Sequence, residues 1–251
     1  IFKEAKVRRF AARRPESKLR PQLFKKLYPY LPGIQAQSAD YLKSFFRADP
    51  SELGDPFFSH LPRWDVTSRA KSLFSKDVRA SLDGHAARER LLAELPDDFA
   101  RWDPFCQSQY LETAYLLPGY ILSSQGDRVA MGQSIEGRYP FLDVRVVEFA
   151  SRLPVNLKMR GIEEKYLLRR LGRKWVPKDV LDRPKQPYRA PDVPSFFRPG
   201  PSAWVRDCVS EISLRNAGLF DVAAVTQLAK KCEKGLPVGV KDSQALIGVL
   251  S

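Results

Sequence analysis

The 251-residue sequence has no long apolar run and few cysteines or histidines, and each shortage argues against a class of protein. Its uninterrupted apolar stretches fall far short of the roughly 20 residues that cross a bilayer. Cys106, Cys208 and Cys232 form no CxxC pair, and the two histidines are His60 and His85, which argues against a disulfide framework or a zinc site. We therefore expect no membrane span and no metal ligands, reduced cysteines that serve packing, and a cytoplasmic location.

Positive charge is concentrated near the N-terminus. The formal net charge is +13, and residues 1–31 contribute +8 of it, because ten lysines and arginines stand against two glutamates. This strip fits a solvated helical face or a surface that lies against an acidic neighbour, and it also fits an anionic partner such as nucleotide phosphate or nucleic acid. No aromatic RNA-binding motif, Cys/His finger or helix-turn-helix accompanies the charge, so nucleic acid is disfavoured.

Apolar spacing and proline positions predict a mainly α-helical chain. Residues 1–31 predict short helices interrupted at prolines, and alternating β-branched runs and internal repeats are not evident. The chain from 183 to 201 carries six prolines in nineteen residues, which predicts a loop without regular structure. Further helices are predicted at about 41–46, 68–82, 85–96, 104–117, 144–153, 161–176, 202–216 and 221–234.

Helix boundaries follow from individual residues. Asp103 before Pro104 predicts an N-cap, and Pro118 should stop that helix. Asp143 predicts a second N-cap. In the helix after it, the residues expected to face the core are Val146, Val147, Phe149, Ala150 and Leu153. Glu163 and Glu164 are predicted in the first turn of the next helix, where acidic side chains suit the helix dipole.

Residues 116–154, LLPGYILSSQGDRVAMGQSIEGRYPFLDVRVVEFASRLP, are the most informative stretch, followed by GIEEKYLLRR and DRPKQPYRAP. Together they fit the pattern DRxxMxxSxEgRxPFLDxRvvEfaxxLP, then EKylLR, then RpKqpyraP. The matching residues are Asp127, Met131, Ser134, Glu136, Arg138, Pro140, Phe141, Leu142, Asp143, Lys165, Arg169 and Lys185. This ordered set resembles the core of the synthetase domain of glutamine-dependent asparagine synthetase, and a weaker resemblance extends over nearly the whole chain.

The resemblance implies a two-domain enzyme with an N-terminal glutaminase and a synthetase domain. The glutaminase would release ammonia from glutamine, and the synthetase would activate aspartate with ATP and Mg²⁺ through β-aspartyl-AMP. The implied fold is the helical C-terminal part of an α/β synthetase domain like the adenine-nucleotide α-hydrolases. Such chemistry must stabilise phosphate charge, so cationic side chains are expected at the site.

Lysines and arginines of the motif are the first candidates for that role. The resemblance places a catalytic lysine at Lys185, on a proline-rich loop from which a point charge could reach the leaving pyrophosphate; the alternative is a surface lysine. Lys165 and Arg169 are four residues apart and are expected on one helix face, where they would orient a carboxylate or phosphate or, alternatively, match the helix dipole.

The remaining motif residues have structural alternatives. Asp127, Glu136 and Arg138 are candidates for substrate or phosphate binding, yet Glu136 and Arg138 could instead form a buried ion pair that fixes the loop. Ser134 has no GxSxG context, so a nucleophilic role is disfavoured. Met131, Phe141 and Phe149 are expected in the core.

Two motifs of the family are missing from this sequence. Neither the SGGxDS loop, whose backbone amides meet the phosphates of ATP, nor the SGEGxDE motif occurs, and the glutaminase cysteine is missing too. We therefore expect residues 1–251 to be a partial synthetase domain, cut at both ends and inactive alone. Two alternatives stay open: a fragment of a β-lactam synthetase or lasso-peptide cyclase relative, and a noncatalytic helical module with a basic binding strip. A homodimer is also left open.

Overall fold

The computed structural model describes residues 1–29, 35, 38, 46, 49–83, 87–183, 193–236 and 238–251. Helices dominate this part of the chain, which confirms the mainly α-helical prediction. The chain divides into two compact units: Ile1–His60 with Pro96–Gln186, and Leu61–Leu95 with Pro187–Ser251. The helix predicted at 41–46 lies outside the described residues except for Phe46.

The first unit contains eight α-helices and one small hairpin among its described residues. They are α1 Phe2–Arg13, α2 Arg20–Lys25, α6 Pro104–Leu111, α7 Asp127–Met131, α8 Val144–Arg152, α9 Val155–Lys158, α10 Tyr166–Gly172 and α11 Lys178–Asp182, with β1 Met159–Arg160 antiparallel to β2 Glu163–Glu164. Short 3₁₀ turns lie at Pro50–Gly54, Phe99–Arg101 and Pro140–Leu142, and a π-type helix spans Glu112–Gln125.

The second unit is built from the remaining helices. They are α3 Leu61–Ser68, α4 Lys76–Leu82, α5 Ala87–Ala93, α12 Val193–Phe197, α13 Ala203–Cys208, α14 Glu211–Ala217, α15 Val222–Glu233 and α16 Val240–Leu250, with a 3₁₀ turn at Arg69–Leu73. Its core comprises two clusters, one around Val205 and Leu246 and one around Leu214 and Val225. Phe74 and Phe220 form an isolated antiparallel bridge, and Leu73 packs in the second cluster, so the early and late parts of this unit are in contact.

Helix α1 forms one wall of the first unit's core. Val7 and Ala11 pack with Phe24 and Leu27 of the α2 region and with Phe46, and the rings of Phe24 and Phe46 stack with centroids 4.9 Å apart. Proline at the start of α2 is compatible with a helix because the first amide has no intrahelical partner. The predicted short, proline-separated helices are confirmed for residues 1–29.

The buried cation Arg8 fastens α1 to the segment that follows the 3₁₀ turn at Pro50–Gly54. Its side chain is 3% exposed, donates from Nη1 to the carbonyl oxygen of Phe58 at 2.9 Å, and lies 3.6 Å from the Glu52 carboxylate. The guanidinium also sits 4.5 Å from the centre of the Phe58 ring. These contacts offset the cost of removing the charge from water.

Several boundary predictions are wrong for identifiable reasons. Helix α6 does not stop at Pro118, because the chain continues as the π-type helix Glu112–Gln125 with the proline inside it. The predicted helix at 68–82 is interrupted, since Ser75 caps α4 by accepting from the Val78 amide. The proline-rich stretch does contain regular structure, because Val193–Phe197 is helical.

The acidic pair Glu163–Glu164 forms a strand rather than a first helical turn. Gly161 adopts a left-handed φ of 61°, which closes a tight turn and pairs Met159 with Glu164. The following helix therefore begins at Tyr166.

No helix among the described residues is both long enough and apolar enough to cross a membrane. The three cysteines are free thiols, and burial raises the pKa of Cys106 and of Cys232. This agrees with their predicted packing role.

Replacing Arg8 should unfold the first unit more readily. We expect Arg8→Ala to lower its free energy of unfolding by about 1–3 kcal/mol, because the Phe58 carbonyl would lose its buried donor and the Phe58 ring its cation. Urea unfolding followed by circular dichroism measures the change, with the exposed Lys18→Ala as the control. Equal midpoints for the two variants would contradict the role given to Arg8.

Candidate functional site

The motif begins at a junction that only glycine fits. Gly126 separates the π-type helix from α7, and a Cβ built on it would lie 2.9 Å from the carbonyl oxygen of Ile121. Asp127 follows as the first residue of α7, half-buried. The steric limit at Gly126 thus determines where Asp127 enters the helix.

Two motif residues adopt the left-handed backbone conformation. Ser134 has φ of 58° and Lys165 has φ of 57°, and among the described residues these are the non-glycine positions with positive φ. Such a conformation costs an L-residue about 1–2 kcal/mol and is found more often at functional sites than elsewhere. The backbone strain of the described chain therefore coincides with the motif.

Glu136 and Arg138 form the ion pair that the sequence suggested, but not a buried one. The carboxylate Oε1 lies 3.0 Å from Nη2, and the two side chains are 65% and 81% exposed. The expectation of burial is wrong because no described element covers this loop. Exposed pairs of this kind add little to stability, so both side chains are available to a charged ligand.

Asp143 is a helix N-cap, as predicted. Its Oδ1 accepts from the Arg145 amide at 2.9 Å, and its two oxygens accept from the Arg145 side chain at 3.0 and 2.8 Å. The side-chain hydrogen bond from Arg145, followed by the backbone bond, lowers the pKa of Asp143. The structural role predicted for Asp143 is confirmed.

Lys165 and Arg169 occupy different positions from those expected. Lys165 is the N-cap of α10 rather than a residue within it, and its carbonyl accepts from the Arg169 amide at 2.9 Å. The Arg169 guanidinium donates to the carbonyl oxygen of Leu181 at 2.7 Å and so holds the end of α11. Lys165 is exposed, whereas Arg169 has a structural contact.

The predicted site residues are brought together only in part. Glu136 contacts Arg138, but within the described ranges no hydrogen bond or ion pair joins Asp127 or Lys165 to that pair. Lys185, the predicted catalytic residue, lies outside the described residues. The described residues also contain no group of three or more His, Cys, Asp or Glu placed to hold a metal ion.

Large apolar side chains are exposed throughout the motif region. Of the 24 such exposed side chains in the described residues, 18 lie between Tyr115 and Val180. Phe149 is 64% and Trp175 is 75% exposed. The expectation that Val146, Val147, Phe149, Met131 and Phe141 are core residues is wrong, because no described element packs over them. Exposed apolar area of this extent is more than a monomeric soluble protein usually shows.

The basic N-terminal strip is not one uniform surface. Arg8 is buried, whereas Lys6, Arg9 and Arg13 line a cleft against residues 56–59 and the start of α6. Charge counting overlooked this division. The helical spacing of 6, 9 and 13 would have placed those three residues on one face.

Comparisons with known proteins show which family the chain resembles. The asparagine synthase family model matches residues 2–250. A putative glutamine-hydrolysing asparagine synthetase of Mycobacterium tuberculosis is 37% identical over 130 residues, which are 51% of this chain and 19% of that protein. Asparagine synthetase 3 of Bacillus subtilis is 37% identical over 134 residues, 51% of this chain and 21% of that protein.

A fungal protein also matches. Amidase chyE of Penicillium rubens is 29% identical over 149 residues, 56% of this chain and 22% of that protein. The matched part thus spans about a fifth of the length of these curated relatives. No solved structure matches the chain.

Asp143 should titrate below the usual range for an aspartate. Since its folded pKa is lowered, the stability that it contributes is present above the unfolded value of about 3.9 and is lost as pH falls through the folded pKa. A carboxyl-carbon NMR titration measures this midpoint. Arg145→Gln should raise the midpoint toward the ordinary value, and an unchanged midpoint would contradict the pairing.

Lys165→Gly should preserve or raise stability despite glycine's flexibility. Glycine removes a left-handed cost of about 1–2 kcal/mol, while its own entropy loss is about 0.5–1 kcal/mol. Arg170→Gly, inside α10, serves as the control and should lose about 1 kcal/mol. Thermal unfolding compares the two, and equal losses would argue against strain at Lys165.

Proposed function

Because the chain belongs to the asparagine synthase family, we propose that it is the helical C-terminal part of a synthetase domain in an ATP-dependent amidotransferase. In this proposal the complete enzyme makes asparagine from aspartate and ammonia released from glutamine, through β-aspartyl-AMP. The names of the bacterial relatives support the reaction. The observation that carries the proposal is the family match over residues 2–250, and the left-handed backbone at Ser134 and Lys165 falls within the motif of that family.

The chain's own residues would stabilise the negative charge of the phosphate and carboxylate groups. Aspartate attacks the α-phosphorus of ATP, pyrophosphate leaves, and ammonia then displaces AMP from the acyl carbon. Lys185 would neutralise the leaving pyrophosphate, and the exposed Lys165 would contact a carboxylate or phosphate. Arg138, paired with Glu136 in an exposed loop, has donors in a planar fork that suits the same anions.

The ATP and Mg²⁺ requirement belongs to the complete enzyme. Asp127 and Glu136 offer carboxylate oxygens of the kind that Mg²⁺ prefers, but the described residues hold no cluster of three acidic ligands. The phosphate-binding loop would come from the nucleotide-binding half, which this sequence lacks.

The exposed apolar surface supports assembly with that half. Residues 115–180 carry the motif and also most of the exposed apolar side chains, so covering protein would complete both the core and the site. We accordingly propose that the chain is inactive by itself. The free thiols support a cytoplasmic location, and a homodimer stays a prediction.

The identity of the activated carboxylate and of the attacking amine is also part of the proposal. The similarity to the fungal amidase chyE has about the same extent as the similarity to the bacterial synthetases. Relatives that cyclise their substrate, such as β-lactam synthetases, use the same adenylation step. A substrate screen that follows AMP release with aspartate and with other carboxylates would distinguish these cases.

Lys185→Ala in a full-length parent protein should abolish ATP/pyrophosphate exchange and leave glutaminase activity intact. The physical reason is that a lysine supplies a compact positive charge to the leaving pyrophosphate. The exposed Lys178→Ala is the matched control and should retain exchange. Unchanged exchange in Lys185→Ala would remove Lys185 from the mechanism.

A further inference from the structure

A cleft of about 500 Å³ opens in the first unit, beside α1. Residues 56–59 and the start of α6 form its other sides. Its volume falls within the roughly 300–1,000 Å³ typical of small-molecule sites. None of its lining residues belongs to the motif segments 127–143 or 163–169, so the cleft is separate from the residues used in the proposed reaction.

Cations dominate the charged lining of this cleft. Lys6, Arg9 and Arg13 lie at helical spacing along one face of α1, and Arg14 adjoins them. Asp103 is the one carboxylate among the lining residues, which gives the cleft a net charge of +3. The Asp103 carboxylate already accepts from the Phe105 amide at 2.8 Å as the N-cap of α6. The lining therefore favours a ligand with more than one negative charge.

Arg9 is held in place before any ligand arrives. Its Nη1 donates to the carbonyl oxygen of Leu53 at 2.9 Å, and its guanidinium lies 4.6 Å from the centre of the Phe58 ring. Burial, and then the neighbouring charge of Arg13, lower the pKa of Arg9. The electrostatic repulsion between like charges held close together decreases when an anion binds between them.

Aromatic side chains form the apolar part of the same lining. Phe2 and Phe105 contact each other with ring centroids 5.1 Å apart, and Phe10, half-buried, also lines the cleft. Rings arranged in this way offer a surface for a planar or otherwise apolar group. The cleft thus combines a polyanion site with an apolar surface.

We propose that this cleft binds a small phosphorylated molecule that carries an aromatic group. A phosphate monoester holds close to two negative charges at pH 7, and arginine donors fit its oxygens in pairs, so it matches the cleft better than a monocarboxylate does. A concave site of this volume encloses one small molecule rather than a nucleic-acid strand. This site lies beyond the proposed synthetase function and does not depend on it.

Calorimetric titration of the 251-residue chain with phenyl phosphate and with inorganic phosphate tests the proposal. We expect saturable 1:1 binding of phenyl phosphate, tighter than that of inorganic phosphate because the ring packs on Phe10 and Phe105. The double variant Lys6→Gln/Arg13→Gln should weaken phenyl phosphate binding by about tenfold or more. Both side chains are exposed, so the fold should survive, and circular dichroism checks this.

A charge-matched control separates the cleft from the general positive field. Lys18→Gln/Lys25→Gln removes two exposed lysines that do not line the cleft, and it should change the affinity by less than about twofold. Equal weakening by the two double variants would overturn the proposal in favour of diffuse attraction of the kind that binds nucleic acid. An absence of saturable binding would overturn it as well.

Phe105→Leu tests the aromatic part independently of charge. It keeps an apolar side chain next to Phe2 but removes one of the two rings, so the preference for phenyl phosphate over inorganic phosphate should decrease. A preference that is unchanged in Phe105→Leu would overturn the aromatic part of the proposal.

Discussion

The first unit depends on the burial of the Arg8 guanidinium. A buried charge must be paired and hydrogen-bonded, and Arg8 meets that demand with Glu52, the Phe58 carbonyl and the Phe58 ring. These contacts hold residues 52–58 against α1. The guanidinium of the next residue, Arg9, lies 4.6 Å from the centre of the same Phe58 ring. One desolvated cation thus fixes the wall on which the cationic cleft is built.

Backbone constraints organise the motif in a comparable way. Gly126 admits no Cβ at the entry to α7, and Ser134 and Lys165 are held in a conformation that L-residues avoid. Lys165 adopts this strained conformation immediately before α10, where its carbonyl accepts a hydrogen bond from the Arg169 amide. Arg169, one turn later, donates to the carbonyl oxygen of Leu181 and so holds α10 against the end of α11. The exposed Lys165 therefore lies at the start of a helix that is held in place by a tertiary hydrogen bond.

Local chemistry made some features predictable and long-range contacts made others unpredictable. Asp103 and Asp143 each cap a helix because the carboxylate accepts from a backbone amide two residues later in the chain. This contact depends only on neighbouring residues, so the sequence predicts it. The hairpin at 159–164 depends on the left-handed turn at Gly161, and a helical pattern conceals that turn. The core assignments for Val146 and Phe149 rested on amphipathic spacing, which indicates that a face needs a partner but does not say where that partner is.

The charged residues of the motif and a set of exposed apolar side chains lie in the same stretch of chain. The Glu136–Arg138 pair is well formed but exposed, and water weakens its electrostatic field. Apolar side chains such as Phe141 and Phe149 follow this loop in the sequence and are exposed. A protein surface that buried them would also exclude water from the charged loop, and each interaction there with phosphate would strengthen as the local dielectric fell. Assembly and electrostatic activation would then be one event, driven by the apolar area that the described structure leaves exposed.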